Sequence, residues 1–265
     1  MEIRELTSFP DLKTVEHLQR IVWGAADIDI LAPLSLKAAI EAGNLLLGAF
    51  DGTQMVGFLY AFLGHLNGQF ELHSDMTGII PAYRDRSLGY QLKLRQREWA
   101  LARQIQLVTW TFDPLRSRNA YFNFHKLSAV SKRYCVNFYG EDSTSFFHQN
   151  STDRLWVEWE LASERVHQRL TGSNSNVGAS FSLRGASDPP LIEAPAILKV
   201  GPNDEPLTLS SDASQVSIEI PLDPDAIGPA QARRWRAATR AAFIEKLAAG
   251  YIVTDARNGC YLLER

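Results

Sequence analysis

Cysteine is scarce: Cys135 and Cys260 are the only two in 265 residues, and they form neither a metal-type nor a redox-type spacing. A disulfide framework is excluded, and a reducing cytosol is the expected compartment. Long apolar runs are missing too. The most apolar stretch, Val56 to Gly64 (VGFLYAFLG), is far too short to span a bilayer. The first residues, MEIRELTSF, lack the apolar core of a signal peptide, so a soluble, cytoplasmic chain is expected. Nor is positive charge in excess: 27 Lys and Arg stand against 30 Asp and Glu, a formal net charge of −3. That balance gives no support to binding nucleic acid or a membrane surface, and any basic patch must be local.

What is present suffices for a proper core, with 45% hydrophobic and 22% charged residues. The length allows one large domain, or one domain with an appended module. The most informative stretch is Met76 to Leu101, MTGIIPAYRDRSLGYQLKLRQREWAL. Its apolar end, Thr77 to Ile80, reads as a strand that Pro81 stops, because proline has no N–H for the ladder. A small basic loop follows, Tyr83 to Gly89. From Leu88 a helical pattern takes over, with Leu88, Leu92, Trp99 and Ala102 on one stripe and Tyr90, Leu94 and Leu101 on another. A loop opening directly into a helix offers unpaired N–H groups at the positive end of the macrodipole, a natural seat for phosphate.

Around this stretch the order of elements can be read. Ile3 to Leu6 is a strand, Asp11 caps a helix through Trp23, and Ser35 caps a short helix, Leu36 to Ala42. Asn44 to Phe50, the turn Asp51-Gly52, and Met55 to Gly64 form a hairpin. A turn near Asn67-Gly68 leads into Gln69 to Ile80. After the central helix, Ile105 to Phe112 reads as a buried strand. A second helix starts at Ser117 to Asn119, and Ser131 to Phe138 and Leu155 to Leu161 close the sheet. Gly172 to about Ala194 turns to Ser, Asn, Gly and Pro, a long loop or linker. Beyond it lie strands at Ala196 to Val200 and Val216 to Ile220, a helix from about Gly228 to Ala249, and strands at Tyr251 to Asp255 and Tyr261 to Glu264.

Arg84, Ser87 and Gly89 stand at the fixed positions of a pattern, Arg/Gln-x-x-Gly-x-Gly/Ala, and the loop thereby resembles the acyl-CoA signature of the GNAT superfamily of N-acyltransferases. Ser87 replaces the first glycine. The segment AYFNFHKLSAV resembles the next block of that family: Ala120, Lys126 and Leu127 match, Ser128 replaces a glycine, and Phe124 sits where the family often has a general-acid tyrosine. The resemblance implies a mixed α/β sheet with the GNAT fold and acyl-CoA as co-substrate, with no metal. It places CoA against Ile79, Ile80, Arg84, Asp85, Arg86, Ser87, Leu88 and Gly89, with Asn119 and Phe124 from the second helix. The longer run, mainly residues 70 to 161, is similar to the long two-part GNAT proteins of bacteria and archaea, some of them N-succinyltransferases of amino acids. It implies a GNAT domain over 1–162, a linker over 163–195 and a C-terminal α/β module over 196–265. In that module Phe243, Lys246 and Leu247 echo the second block, as a degenerate second GNAT half would; the alternative is any amphipathic helix that runs into a strand.

Acyl transfer to an amine requires that the thioester be placed, the nitrogen deprotonated and the leaving thiolate stabilised. Strict alternation along Phe70 to Thr77 puts Glu71, His73, Asp75 and Thr77 on one face. His73, with an ordinary pKa near 6.5, is the expected base, and Asp75 would orient it or hold a substrate ammonium. The alternative is a solvated or internally satisfied face, and a His-x-Asp pair without a third ligand does not make a metal site. For the acid, Tyr121, His125, Tyr134 and Tyr139 are candidates, with Tyr121 preferred. Arg116, Arg118 and Arg133 could grip a carboxylate bidentately. Arg233-Arg234-Trp235-Arg236 is expected to decorate a surface or interface. The expected activity is transfer of an acetyl or succinyl-type group from CoA to the amine of a small metabolite, such as an amino acid, by a chain that could form a homodimer. A non-catalytic CoA-binding or assembly module is the competing class.

Overall fold

A computed structural model describes residues 1–66, 68–140, 152–172 and 194–265. Among the described residues the chain is mixed α/β, built on one twelve-stranded sheet of order β1-β2-β3-β4-β5-β7-β6-β11-β12-β10-β8-β9. The strands are β1 Glu2–Glu5, β2 Leu45–Asp51, β3 Gln54–Leu66, β4 Gln69–Ile79, β5 Leu107–Phe112, β6 Val130–Cys135 and β7 Arg154–Glu160, then β8 Ala196–Val200, β9 Pro206–Thr208, β10 Gln215–Glu219, β11 Ile252–Arg257 and β12 Cys260–Glu264. The β2–β3 hairpin turns at Gly52, whose φ of 58° suits a residue without a Cβ. The C-terminal strands continue the same sheet through one ladder pair, Val253 of β11 with Ser131 of β6.

Side chains alternate across the strands, and the two faces carry different helices. Helices α1 Phe9–Trp23 and α2 Pro33–Glu41 bury Leu12, Val15, Leu18 and Leu36 against Leu46, Phe58 and Tyr60. On the other face, α3 Leu88–Leu101 buries Leu88, Leu92 and Trp99 against Leu45, Leu47 and Leu59. That layer continues with α4 Ser117–Ala120, a π-helical turn Tyr121–Lys126, and α6 Pro229–Ala248, whose Phe243 stacks on Tyr134 at 5.8 Å. No helix among the described residues is long and apolar enough to cross a membrane.

Several sequence expectations change. Ser8 rather than Asp11 caps α1, accepting from the Asp11 amide at 3.3 Å, because proline at the helix start brings its first turn forward. Pro33 likewise opens α2 ahead of Ser35, with Ala32 as its cap residue. The second helix of the family pattern is a single α-turn passing into the π-turn, whose Leu127 amide reaches back to Phe122 O. Within the expected 163–195 linker, Glu164–Thr171 forms α5, capped by Ser163, with Val166 buried in the core; residues 173–193 lie outside the described residues. The arginine-rich stretch of α6 is not all surface. Trp235 and Arg236 are buried and Arg236 pairs with Asp113 at 2.7 Å, while Arg234 pairs with Glu205 outside.

Candidate active site

The register of β3 on β4 slips in the middle. Tyr60 pairs with Met76 and Phe62 with His73, so two residues of β3 span three of β4. The extra residue is a bulge at Ser74–Asp75. The parallel ladder between β4 and β5 holds only Leu72↔Val108 and His73↔Thr109. The two strands therefore part where the bulge begins, leaving a notch between Ser74–Met76 and Trp110–Phe112. Backbone groups along the notch have no ladder partner across it, which makes them available to an extended ligand. Both strands run towards the head of α3 and the start of α4.

The bulge also breaks the expected alternation. Glu71 and His73 share a face with Met76, and Thr77 falls on the opposite one, paired with core residue Leu59. The face bearing Glu71 and His73 forms a polar groove floored by Thr109 and Thr111 of β5 and Trp156 and Glu158 of β7. The His73 ring lies between Phe62 and Trp156, each 5.1 Å away, and its Nδ1 is 2.9 Å from Thr109 Oγ1. Burial, with the Lys93 charge adding to it, pulls the imidazole down to about 4. His73 is thus neutral at pH 7 and too weak a base for the role expected from its ordinary pKa.

Glu71 is buried, with Oε2 lacking a partner among the described residues, and burial raises its carboxyl; a hydrogen bond from Thr109 opposes this and Glu158 adds to it. A threonine hydroxyl donating to Glu71 leaves Oγ1 to accept from His73 Nδ1–H, so Nε2 carries the free lone pair. Gly64 makes room for this carboxylate: a Cβ there would meet Glu71 Cγ and Oε1 at 3.1 Å. Asp75, on the bulge, is exposed to water, yet desolvation raises its carboxyl. The two facts together describe a group on an open groove, wetted at its edge and hemmed in by protein elsewhere.

The loop before α3 is shaped by left-handed backbone. Asp85 has φ 61° and Ser87 φ 58°, so the position where the family pattern has glycine requires αL conformation, which serine adopts at a cost of about 1–2 kcal/mol. Ser128 repeats this at the second block, with φ 56°. Arg84 braces the loop, its guanidinium donating to Ile79 O at 3.2 Å and Val22 O at 3.1 Å, and Arg86 lies over the Tyr83 ring. The first bond inside α3 runs from Gln91 N–H to Ser87 O, so the amides of Leu88, Gly89 and Tyr90 have no intrahelical acceptor. A Cβ on Gly89 would meet nothing within 4 Å. Open space beside three unpaired amides at a helix head fits a pyrophosphate.

Other expected residues separate. Ile79 and Ile80 pack partly buried beside the loop, and Asn119 is exposed at the head of α4. Phe124 is fully buried between Phe112 and Tyr261, so its ring has no free face for a cofactor. Tyr121 stacks on His125 at 4.9 Å in the helical layer, on the other face of the sheet from Glu71 and His73. His125 pairs with Asp255, and the Tyr134 hydroxyl is committed to Asp153 at 2.7 Å. Tyr139 alone of the proposed acids sits by the groove, its hydroxyl 3.5 Å from Thr111 Oγ1. Arg116 pairs with Asp225, and Arg118 with Asp85 at 3.0 Å; Arg133 lies over the Trp156 ring, and of the three it alone borders the groove.

Lys93 was not anticipated. It is buried on α3, with Nζ 2.8 Å from Ser74 Oγ at the bulge and 4.0 Å from the Trp110 ring centroid. The signal was there: Leu92, Lys93, Gln96, Trp99 and Ala100 share one helical stripe, and two of the five are polar.

No protein-family model matches the chain, and no curated protein matches it. Among solved structures it is similar to aminoglycoside 6'-acetyltransferase type Ii, at 15% identity over 62% of this chain and 99% of that one, TM-score 0.48. It is similar to the PaiA N-acetyltransferase from Thermoplasma acidophilum in complex with coenzyme A, at 18% identity over 60% and 98%, TM-score 0.43. The ribosomal-protein-S18-alanine N-acetyltransferase from Escherichia coli gives 15% identity over 61% and 94%, TM-score 0.45. All three scores lie below 0.5, and the case for the site rests on its own notch, loop and side chains.

Proposed function

We propose that the chain is an acyl-CoA-dependent N-acyltransferase of the GNAT type, moving an acetyl or succinyl-type group from CoA to the amine of a small metabolite such as an amino acid. One observation carries the proposal: β4 bulges at Ser74–Asp75 where it parts from β5, and the same strand feeds an αL loop at the head of a helix. An acyl-CoA, when bound, supplies an electrophilic thioester carbon. The amides of Leu88, Gly89 and Tyr90 would hold its pyrophosphate, and the unpaired edges of β4 and β5 would orient the arm leading into the notch. Residues 1–162 form the acyl-CoA-binding unit of this proposal, with 196–265 as a module extending its sheet beyond 163–195.

The amine enters from the groove face. Burial raises both carboxyls; Asp75, exposed to water, holds the ammonium form, and Glu71, buried with Oε2 unpartnered among the described residues, takes its proton. His73, neutral and fixed by Thr109, orients that carboxylate. Arg133 at the groove rim would receive a carboxylate on the acyl group or the acceptor.

The competing class is a non-catalytic acyl-CoA-binding module, favoured by the absence of a hydroxyl on Phe124. Titration with CoA, acetyl-CoA and succinyl-CoA should give saturable binding, weakened by Arg84→Glu or Gly89→Pro. No binding by a folded sample would remove the proposal. Thiol release on incubation with acyl-CoA and pooled amines then separates the classes, since a module binds without turning over.

A further inference from the structure

We propose that Lys93 is a positioning residue for the Ser74 hydroxyl, and that Ser74 delivers the proton to the departing thiolate in the notch, the task for which Phe124 has no proton. This rests on the acyl-transfer function proposed above. Lys93 is 4% exposed, and no carboxylate pairs with it among the described residues. An ammonium buried without a counter-ion is costly, and such groups gather where chemistry needs them. Its surroundings are Ser74 from β4, the Trp110 ring from β5 and Gln96 from its own helix, with Nζ 3.2 Å from Gln96 Oε1. The titratable group coupled to it is His73, whose own pKa the Lys93 charge helps to depress. Gln96 is fully buried and its Nε2 has no acceptor among the described residues. An unsatisfied buried amide beside a lone ammonium marks a site that protein packing alone does not complete.

The hydrogen-bond direction matters. Lys93 has only donors, so Ser74 Oγ must accept from it, and the serine hydrogen is left to point elsewhere. Ser74 lies on the bulge, buried at the closed end of the notch where β4 parts from β5. During transfer the amine nitrogen bonds to the thioester carbon and the C–S bond breaks, the electron pair leaving on sulfur. Ser74 passes its hydrogen to that sulfur and takes one from Lys93 Nζ. The neutral lysine recovers its proton from solvent, and the two protons that the ammonium form sheds leave in turn through Glu71, one before attack and one as the amide forms, so the cycle releases one proton net. Desolvation brings the lysine down to about 7, which makes both of its charge states accessible near neutrality.

The test compares wild type with Lys93→Met, Ser74→Ala and the double variant, following thiol release against pH and CoA affinity by titration. Each single variant should lower kcat by about 10²-fold, leave CoA affinity and the KM for acyl-CoA within about two-fold, and abolish the fall of kcat on the alkaline side of neutrality. The double variant should be no worse than either single one, since the two groups act as a unit. Ser74→Ala removes one atom, so it serves even if Lys93→Met does not fold. A wild type that turns over while Ser74→Ala retains its kcat and alkaline limb overturns this inference alone. A wild type without turnover overturns the proposed function and the inference together.

Discussion

Glu71→Gln keeps the size and shape of the side chain and removes the charge, and the structure assigns it opposite effects on activity and stability. If Glu71 accepts the amine proton, kcat should fall about 10²–10⁴-fold, which is about 3 to 5 kcal/mol of transition-state stabilisation. Stability should move the other way. Burial raises the folded-state pKa of Glu71 above its unfolded value, which for a carboxyl near 4.3 in the open chain places the titration above about pH 4. A group raised on folding contributes its stability below the unfolded pKa and loses it as pH climbs through the folded one. At neutral pH the buried carboxyl, with Oε2 unpartnered among the described residues, is therefore a net cost to the fold. Glutamine carries no such cost, so Tm at pH 7 should rise, and the decline of wild-type stability from about pH 4 upward should flatten. Steady-state thiol release gives kcat, and thermal melts across pH give the slope. An unaltered kcat would refute the base assignment. A Tm lowered at pH 7 would show that Glu71 is a satisfied structural carboxylate, and the reasoning from its burial would be wrong.

Four further outcomes are expected. His73→Ala should lower kcat by disordering Glu71 through Thr109, but without removing any limb near the ordinary histidine pKa, since His73 titrates at about 4; a pH–rate profile decides this. Ser87→Gly and Ser128→Gly should each stabilise the protein by about 0.5–1 kcal/mol, the αL cost less the added chain entropy of glycine, read as a rise in Tm of a few degrees. Asp153→Ala should cost about 3–5 kcal/mol, measured by denaturant unfolding, because Asp153 accepts from Arg240 twice at 2.8 Å, from the Tyr134 hydroxyl and from the Asn137 amide. Asp255, held at about 2 by His125 and Arg257 against burial, contributes stability that is complete above pH 4 and lost as pH falls towards 2; Asp255→Asn should abolish that acid-side loss in urea titrations at stepped pH.

The order of elements was legible in the sequence because local chemistry sets it. Asp51-Gly52 between apolar runs can hardly be anything but a hairpin, and the stripes from Leu88 can bury only as a helix. The loop proposed to seat a phosphate was legible for the same reason: Arg84 to Gly89 is contiguous, and its αL turn and the helix-head amides are properties of adjacent residues. Local boundaries moved where prolines overruled the expected caps, as at Pro10 and Pro33.

The geometry of the candidate site is not local, and only the tertiary structure decides it. Alternation along β4 assumes an unbroken ladder, but the slip against β3 inserts a residue at Ser74–Asp75 and moves Thr77 off the face of Glu71 and His73. The pKa of His73 depends on Phe62, Trp156 and Lys93, three residues from three other elements, so no window of sequence could show that it is held neutral. Phe124 occupied a motif position yet packs in the core, because Phe112 and Tyr261 enclose it from distant strands. Lys93 lies on the buried stripe of α3, but the sequence does not show what it is buried against. Burial against Ser74 and Trp110, which exists only once α3 lies across the parting of β4 and β5, makes it a cation beneath the notch with no carboxylate partner among the described residues.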